Sequence, residues 1–328
     1  NNTNATTGTL FGNVSFIDSY LPVMSLDPQP FDLKSVEVLK GPQGTLFGAS
    51  ALNGAIRYVP EPPEFGVFTG KYFAQYTTVA EGDTGWTYGA AVNLPVGETV
   101  ALRLTAFDRN SPGWVDNLRT HEADTNSRTQ RGLRGILGWQ PDEDWNFSLI
   151  YATQDTATYD TGLTDNLDGR LSSNERPRRG PDSNTYDLVG LNIERTYDWA
   201  QLVSETAYVK KHSRTFLENS RQYVSSIPLF GIEGGGDTQT WSQEFRLVSP
   251  DDPGSRWRWI TRRIASRQQL QTRVNLALGN GQIPPALYLD FLNNLIPGLG
   301  DLVDPYGNLS LILLTHDITV EDIAFFGD

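Results

Sequence analysis

VEVLKGPQGTLFG (Val36–Gly48), running on through ASALNGAIRYVPEPP to residue 63, decides how the rest of the chain is read. Three glycines, Gly41, Gly44 and Gly48, follow a strand-like VEVL, an order that elsewhere cradles phosphate. The spacing argues against that chemistry. A phosphate loop closes on Gly-Lys-Ser/Thr, whereas Thr45 follows Gly44 directly; a dinucleotide fingerprint is G-x-G-x-x-G, whereas this stretch is G-x-x-G-x-x-x-G. The glycines read instead as turn residues, supplying positive φ and close backbone approach.

The surrounding composition narrows the class. Asp and Glu outnumber Lys and Arg by 39 to 26, a net charge of −13, which argues against a nucleic-acid partner. Cysteine is absent, so disulfides, thiolate metal sites and Cys nucleophiles are excluded together. No run approaches the roughly 18 apolar residues of a membrane helix. Thirty-one glycines and 36 aromatics (8 Trp, 13 Tyr, 15 Phe) point to a β-protein.

Downstream of residue 65 the chain keeps a period of two. GWTYGAAVNL alternates Trp86, Tyr88, Ala90, Val92 and Leu94 against Thr87, Gly89, Ala91 and Asn93. WNFSLIYA and WSQEFRLV alternate in the same way, so each strand has one apolar and one polar face. Strands are expected at 67–80, 85–94, 99–108, 130–139, 144–156, 184–196, 198–212, 238–249, 256–270 and 316–328; AQLVSETAYV, within 198–212, mixes both faces and is placed by context. Tight turns (PVGE, QPDED, YD, PDDPGS) alternate with long loops at 109–129, 157–183, 213–237 and 271–315. Short turns at one end and long loops at the other are the rhythm of a transmembrane barrel. Trp139, Trp145, Trp199, Trp257 and Trp259 all lie beside a short turn, where an interfacial aromatic girdle is expected. One segment breaks the pattern: ITRRIASRQQLQTR (260–273) places Arg262, Arg263, Arg267 and Arg273 where aromatics should alternate. Either these arginines face the lumen or a local sequence error has altered the strand.

FDLKSVEVLKGPQGTLFGASALNGAIRYVPEPP, with GPQGTLFG at its centre and NVSFIDSYLP upstream, resembles the segment that ends the plug domain of TonB-dependent outer-membrane receptors. The resemblance implies a plug inside a barrel of about 22 strands. It divides the chain into a C-terminal part of the plug (1–65) and about ten strands of barrel (66–328), an all-β, partial transmembrane antiparallel barrel that reads as a fragment without its TonB box. Gly41, Pro42, Gln43, Gly44, Gly48 and Gly54 are then plug-motif residues set in turns. The resemblance also implies a plug–barrel ion pair: Lys40, just before the Gly-Pro, against Glu244 of WSQEFRL, with Glu37 and Arg57 as further candidates for the same network. Lys for the family's more usual Arg loses the bidentate fork.

The implied activity is active uptake of a scarce nutrient, an iron–siderophore complex by default, across the outer membrane of a Gram-negative bacterium. The implied partners are that ligand, outer-membrane lipid, and TonB with ExbB and ExbD. A passive porin or an adhesive autotransporter-type barrel is the rival, and neither carries a GPQGTLFG segment ahead of its first strand. The three histidines (His121, His212, His316) are too scattered for a metal site or triad, and Asp160, Asp165 and Asp168 miss the EF-hand pattern. No enzyme and no cofactor are expected. Loop 271–315 is unusually apolar and is a candidate cover for the barrel mouth.

Overall fold

The computed structural model describes residues 7–16, 28–41, 53–162, 164, 173–174, 176, 179–218, 230–250, 258–278 and 309–327. The N-terminal portion forms a four-stranded sheet from β1 (Thr7–Phe11), β2 (Val14–Ser15), β3 (Leu33–Lys40) and β4 (Gly54–Pro60), in the order β2-β1-β4-β3. β1 runs parallel to β4, and β3 runs antiparallel to it. The remaining strands are β5 (Thr69–Thr78), β6 (Thr84–Pro95), β7 (Val100–Ser111), β8 (Asp116–Asn117), β9 (Arg128–Trp139), β10 (Trp145–Thr158), β11 (Ser173–Asn174), β12 (Asp182–Tyr197), β13 (Ala200–Glu218), β14 (Phe230–Val248), β15 (Ile260–Leu278) and β16 (Leu309–Gly327). Ten of these make one antiparallel sheet in chain order from β5 to β16, while β8 and β11 pair separately between two long loops.

The ten-stranded sheet is inside out. In β6 the buried positions include Thr87 and Asn93, while Trp86 and Tyr88 are exposed. In β7 Arg103 and Thr105 are buried and Leu104 is exposed. A soluble sheet buries its apolar face; this one turns that face outward, as a transmembrane barrel wall does. Tyr72 on β5 is 88% exposed, which suits a ring facing lipid. At the short-turn end the rings form a ladder: Trp139 on Phe147 (4.7 Å), Phe147 on Trp145 (5.3 Å), Tyr197 on Trp199 (6.1 Å) and Trp199 on Trp259 (6.4 Å). The Arg195 guanidinium bridges Trp145 and Tyr197, 4.6 Å from each ring centre. Trp257 lies outside the described residues.

All ten expected strands are present, and the later ones run further toward the long-loop end than the alternation suggested. β13 continues to Glu218, β14 starts at Phe230, β15 continues to Leu278 and β16 starts at Leu309. The ladder hydrogen bonds belong to the backbone, so pairing persists through polar stretches such as Gly234–Gly236 where no apolar face marks it. The four unusual arginines are split between the faces. Arg262 is buried and turned inward, whereas Arg263, Arg267 and Arg273 lie on the exposed face, Arg267 opposite Glu321 at 3.5 Å.

Candidate functional site: the plug–wall interface

The four-stranded sheet packs against the polar, inward face of the wall. Phe11, Val14 and Phe16 from the plug share a buried cluster with Ala152, Tyr186, Leu188, Ala207 and Val209 from β10, β12 and β13. Phe16 meets Tyr186 with ring centres 5.0 Å apart. Lys211 donates to the Phe16 carbonyl (2.7 Å), and Asn93 binds the connecting segment at the Glu64 and Val67 carbonyls (2.8 and 2.6 Å).

The most enclosed charge in this interface is Asp32, in the turn before β3. Its side chain is 0% exposed. Arg103 grips it with both arms of its fork, Nε to Oδ2 at 2.9 Å and Nη2 to Oδ1 at 2.5 Å. Thr105 donates its hydroxyl to Oδ2 (2.5 Å), and Lys71 Nζ lies 2.7 Å from Oδ1. Arg134 Nη2 donates to the Asp32 carbonyl (2.6 Å) and stands 3.4 Å from Oδ2. The wall strands place these groups by register. One cross-strand row runs Lys71–Ala91–Thr105–Arg134 over β5, β6, β7 and β9, with Arg103 two residues along β7 on the same face. Ala91, small and buried, leaves the row open where the carboxylate enters. Burial pushes the Asp32 carboxyl pKa up, but the hydrogen bonds from Arg103, Lys71 and Thr105 outweigh it and hold the group well below the usual carboxylate range. Neighbouring Phe31 packs on Phe73 (4.6 Å), in space a side chain at Gly89 would fill.

A second charged patch lies over β13–β15. Glu205 and Glu244 sit directly opposite one another on the inward face. Asn13 of the plug donates to Glu205 (2.8 Å), and Arg262 donates to Glu244 (2.5 Å), with Arg246 3.9 Å from the same carboxylate. Paired like charges are unfavourable unless cations compensate them; Arg262 and Arg246 supply that compensation at Glu244, and the neutral Asn13 amide adds a hydrogen bond at Glu205. Arg57 on β4 binds Glu37 (3.1 Å) and the Asn13 side-chain oxygen (2.5 Å), making it the plug cation that these contacts bring toward the wall carboxylates. Lys40 ends β3 in register with Gly54 and lies on the exposed face, three residues from Glu37 and hence on the opposite side of the strand.

Of the plug-motif residues, Pro42, Gln43, Gly44 and Gly48 lie outside the described residues. Gly41 has φ +84°, which favours glycine. Gly54 has φ +142°, and a Cβ there would run into the Leu39 carbonyl. Asp165, Asp168 and the 279–308 part of the apolar loop also fall outside them. Asp160 is buried and accepts the Gly180 and Thr161 amides (2.6 and 2.7 Å), a loop-closing role. Beside it the outer loops are clasped together. Arg179 pairs with Glu122 and stacks 4.3 Å from the Tyr159 ring centre, while Asn117 donates to the Arg176 carbonyl (2.9 Å). Arg103, Thr105 and Arg134 fall within the expected strands 99–108 and 130–139, but nothing local singles them out or ties them to Asp32.

No protein-family model matches the chain. Solved structures do. The ferric yersiniabactin uptake receptor FyuA from Yersinia pestis superposes with a TM-score of 0.65 at 15% identity, over 99% of this chain and 52% of that one. The siderophore receptor PiuA from Acinetobacter baumannii gives 0.63 at 16%, over 84% and 39%. The ferripyoverdine receptor of the outer membrane of Pseudomonas aeruginosa gives 0.62 at 16%, over 84% and 38%. The chain thus spans about half or less of the length of the structures it matches, and identities this low speak for fold. The fold is that of TonB-dependent receptors: an inside-out β-wall with the end of a plug domain seated against its inner face.

Proposed function

We propose that the chain is the plug end and first ten wall strands of a longer TonB-dependent receptor in the outer membrane of a Gram-negative bacterium, importing a scarce nutrient. A plug sheet held to the inner wall through the fully buried Asp32 carboxylate carries this reading: a passive pore has no use for a bolted obstruction in its lumen. Transport then requires the plug to shift, with TonB and its ExbB/ExbD partners supplying the work from the inner membrane. The cargo we favour is an iron–siderophore complex, the class named for several of the similar structures. A copper transporter and a ferric citrate transporter share the fold as well, so the architecture does not name the cargo.

The test is growth of iron-starved cells expressing the complete receptor on a panel of ferric siderophores, with and without TonB. Growth on at least one of them only when TonB is present is expected. Uptake that persists without TonB, or steady ion conductance through the purified receptor, would instead favour a passive pore.

A further inference from the structure

The side-chain donors to the Asp32 carboxylate belong to the wall, and the acceptor belongs to the plug. Lys71, Thr105 and Arg134 are fixed in one row by the pairing of β5, β6, β7 and β9, and Arg103 is fixed by its place on β7. None needs Asp32 to set its backbone position. Their arrangement also has the shape of a receptor for an anion: a planar fork, a hydroxyl and two further cations around one two-oxygen acceptor. Asp32 itself sits at φ +58°, a conformation that aspartate tolerates without favouring it.

We propose that Lys71, Arg103, Thr105 and Arg134 form a carboxylate-binding site on the barrel wall, filled at rest by the plug's own Asp32. The site would accept a small carboxylate, or the carboxylate of a passing cargo, whenever Asp32 is withdrawn. Withdrawing Asp32 without replacement leaves the Arg103 and Arg134 guanidinium groups without their shared anion, and breaking such a pair from one side is costly. A carboxylate taking its place removes that cost, so movement of segment 28–33 and capture of an anion become linked. The consequence for cargo rests on the plug-movement reading above; the site itself does not.

The experiment is chemical rescue of Asp32→Gly in the complete receptor, glycine being suited to the positive φ. Its thermal unfolding is compared in sodium formate and in sodium chloride at equal ionic strength. Formate is expected to raise the Tm above the chloride value, increasingly with concentration as mass action requires, and to leave the wild type unmoved. If Asp32→Gly folds poorly, refolding yield in formate against chloride reads the same quantity. Asp32→Asn, whose amide still fills the cradle, should respond little. Equal behaviour in the two salts, or equal formate responses from the Gly and Asn variants, would overturn the site. Because no uptake is measured, TonB-independent transport would sink the proposed function while leaving this result standing, and the reverse failure is equally distinguishable.

Discussion

Taking a carboxylate out of water costs several kcal/mol, and one cation seldom offsets it. At Asp32 the offset comes from a bidentate guanidinium, a hydroxyl and a lysine, with Arg134 holding the carbonyl of the same residue. Lys71 is half exposed and screened, so the two arginines and Thr105 carry most of the interaction. Asp32→Asn keeps the shape and removes the charge, leaving amide hydrogens against the Arg103 fork. It should destabilise the seated plug by about 3–5 kcal/mol, the range for breaking a buried pair from one side. Urea unfolding of the complete receptor reads this, and a loss within experimental error would show that the cluster does not anchor the plug. The carboxyl pKa is depressed in the folded state. The stability Asp32 adds is therefore complete above the ordinary carboxylate value of about 3.9 and is lost only as pH falls further, through the folded value. Mild acid should not unseat the plug at this point.

Among the elements, strands and loops differ in how far the sequence announces them. Most wall strands were legible because a lipid-facing and a lumen-facing side chain must alternate, and pairs such as Trp86 with Thr87 record that alternation residue by residue; β13, which mixes both faces, and β15, with its arginines, were legible only from their place between turns and loops. The outer extensions of β13 to β16 were not legible: Gly234–Gly236 has no side chains to alternate and LSLILL (309–314) is apolar almost throughout, so neither shows a period of two while the backbone ladder continues. The anchor was illegible for another reason. Asp32 meets partners 39, 71, 73 and 102 positions away, and only the register of four strands brings these together. The clasp between the outer loops was hidden in the same way, and it yields its own prediction. Arg179 hydrogen-bonds Glu122 and holds its carboxyl below the usual range, while stacking on Tyr159. Arg179→Ala removes an exposed ion pair and a cation–π contact, together worth about 1 kcal/mol. Amide exchange at 116–118, where β8 meets β11 and Leu118 N–H binds the Asn174 carbonyl, should then quicken roughly fivefold. Unchanged exchange would show that the short β-pairing holds the loops without the clasp. The Glu122 contribution should be present above about pH 4.3 and fade below it.

At the scale of the whole molecule, two of the polar contacts between plug and wall among the described residues differ in chemistry. Over β5, β7 and β9 the contact is the enclosed Asp32 cluster; over β13 it includes the hydrogen bond from Asn13 to Glu205, beside a second carboxylate and among arginines. A moving plug must break such contacts, whereas a static plug need not. This chain has no cysteine, so within it a pair introduced as Asn13→Cys and Glu205→Cys meets no competing thiol. Joined by a short, reductively cleavable bismaleimide, the two positions tie β1–β2 to the wall without touching the clasped outer loops. Cargo should still bind the cross-linked receptor on cells, while uptake stops and then returns once the linker is cleaved. A linker placed between two neighbouring wall strands, at the exposed positions Tyr151 and Val189 that face each other in β10 and β12, should leave uptake unaffected. Uptake that continues with Asn13 and Glu205 quantitatively joined would mean that this half of the plug stays seated during transport, and the path would then have to open on the Asp32 side.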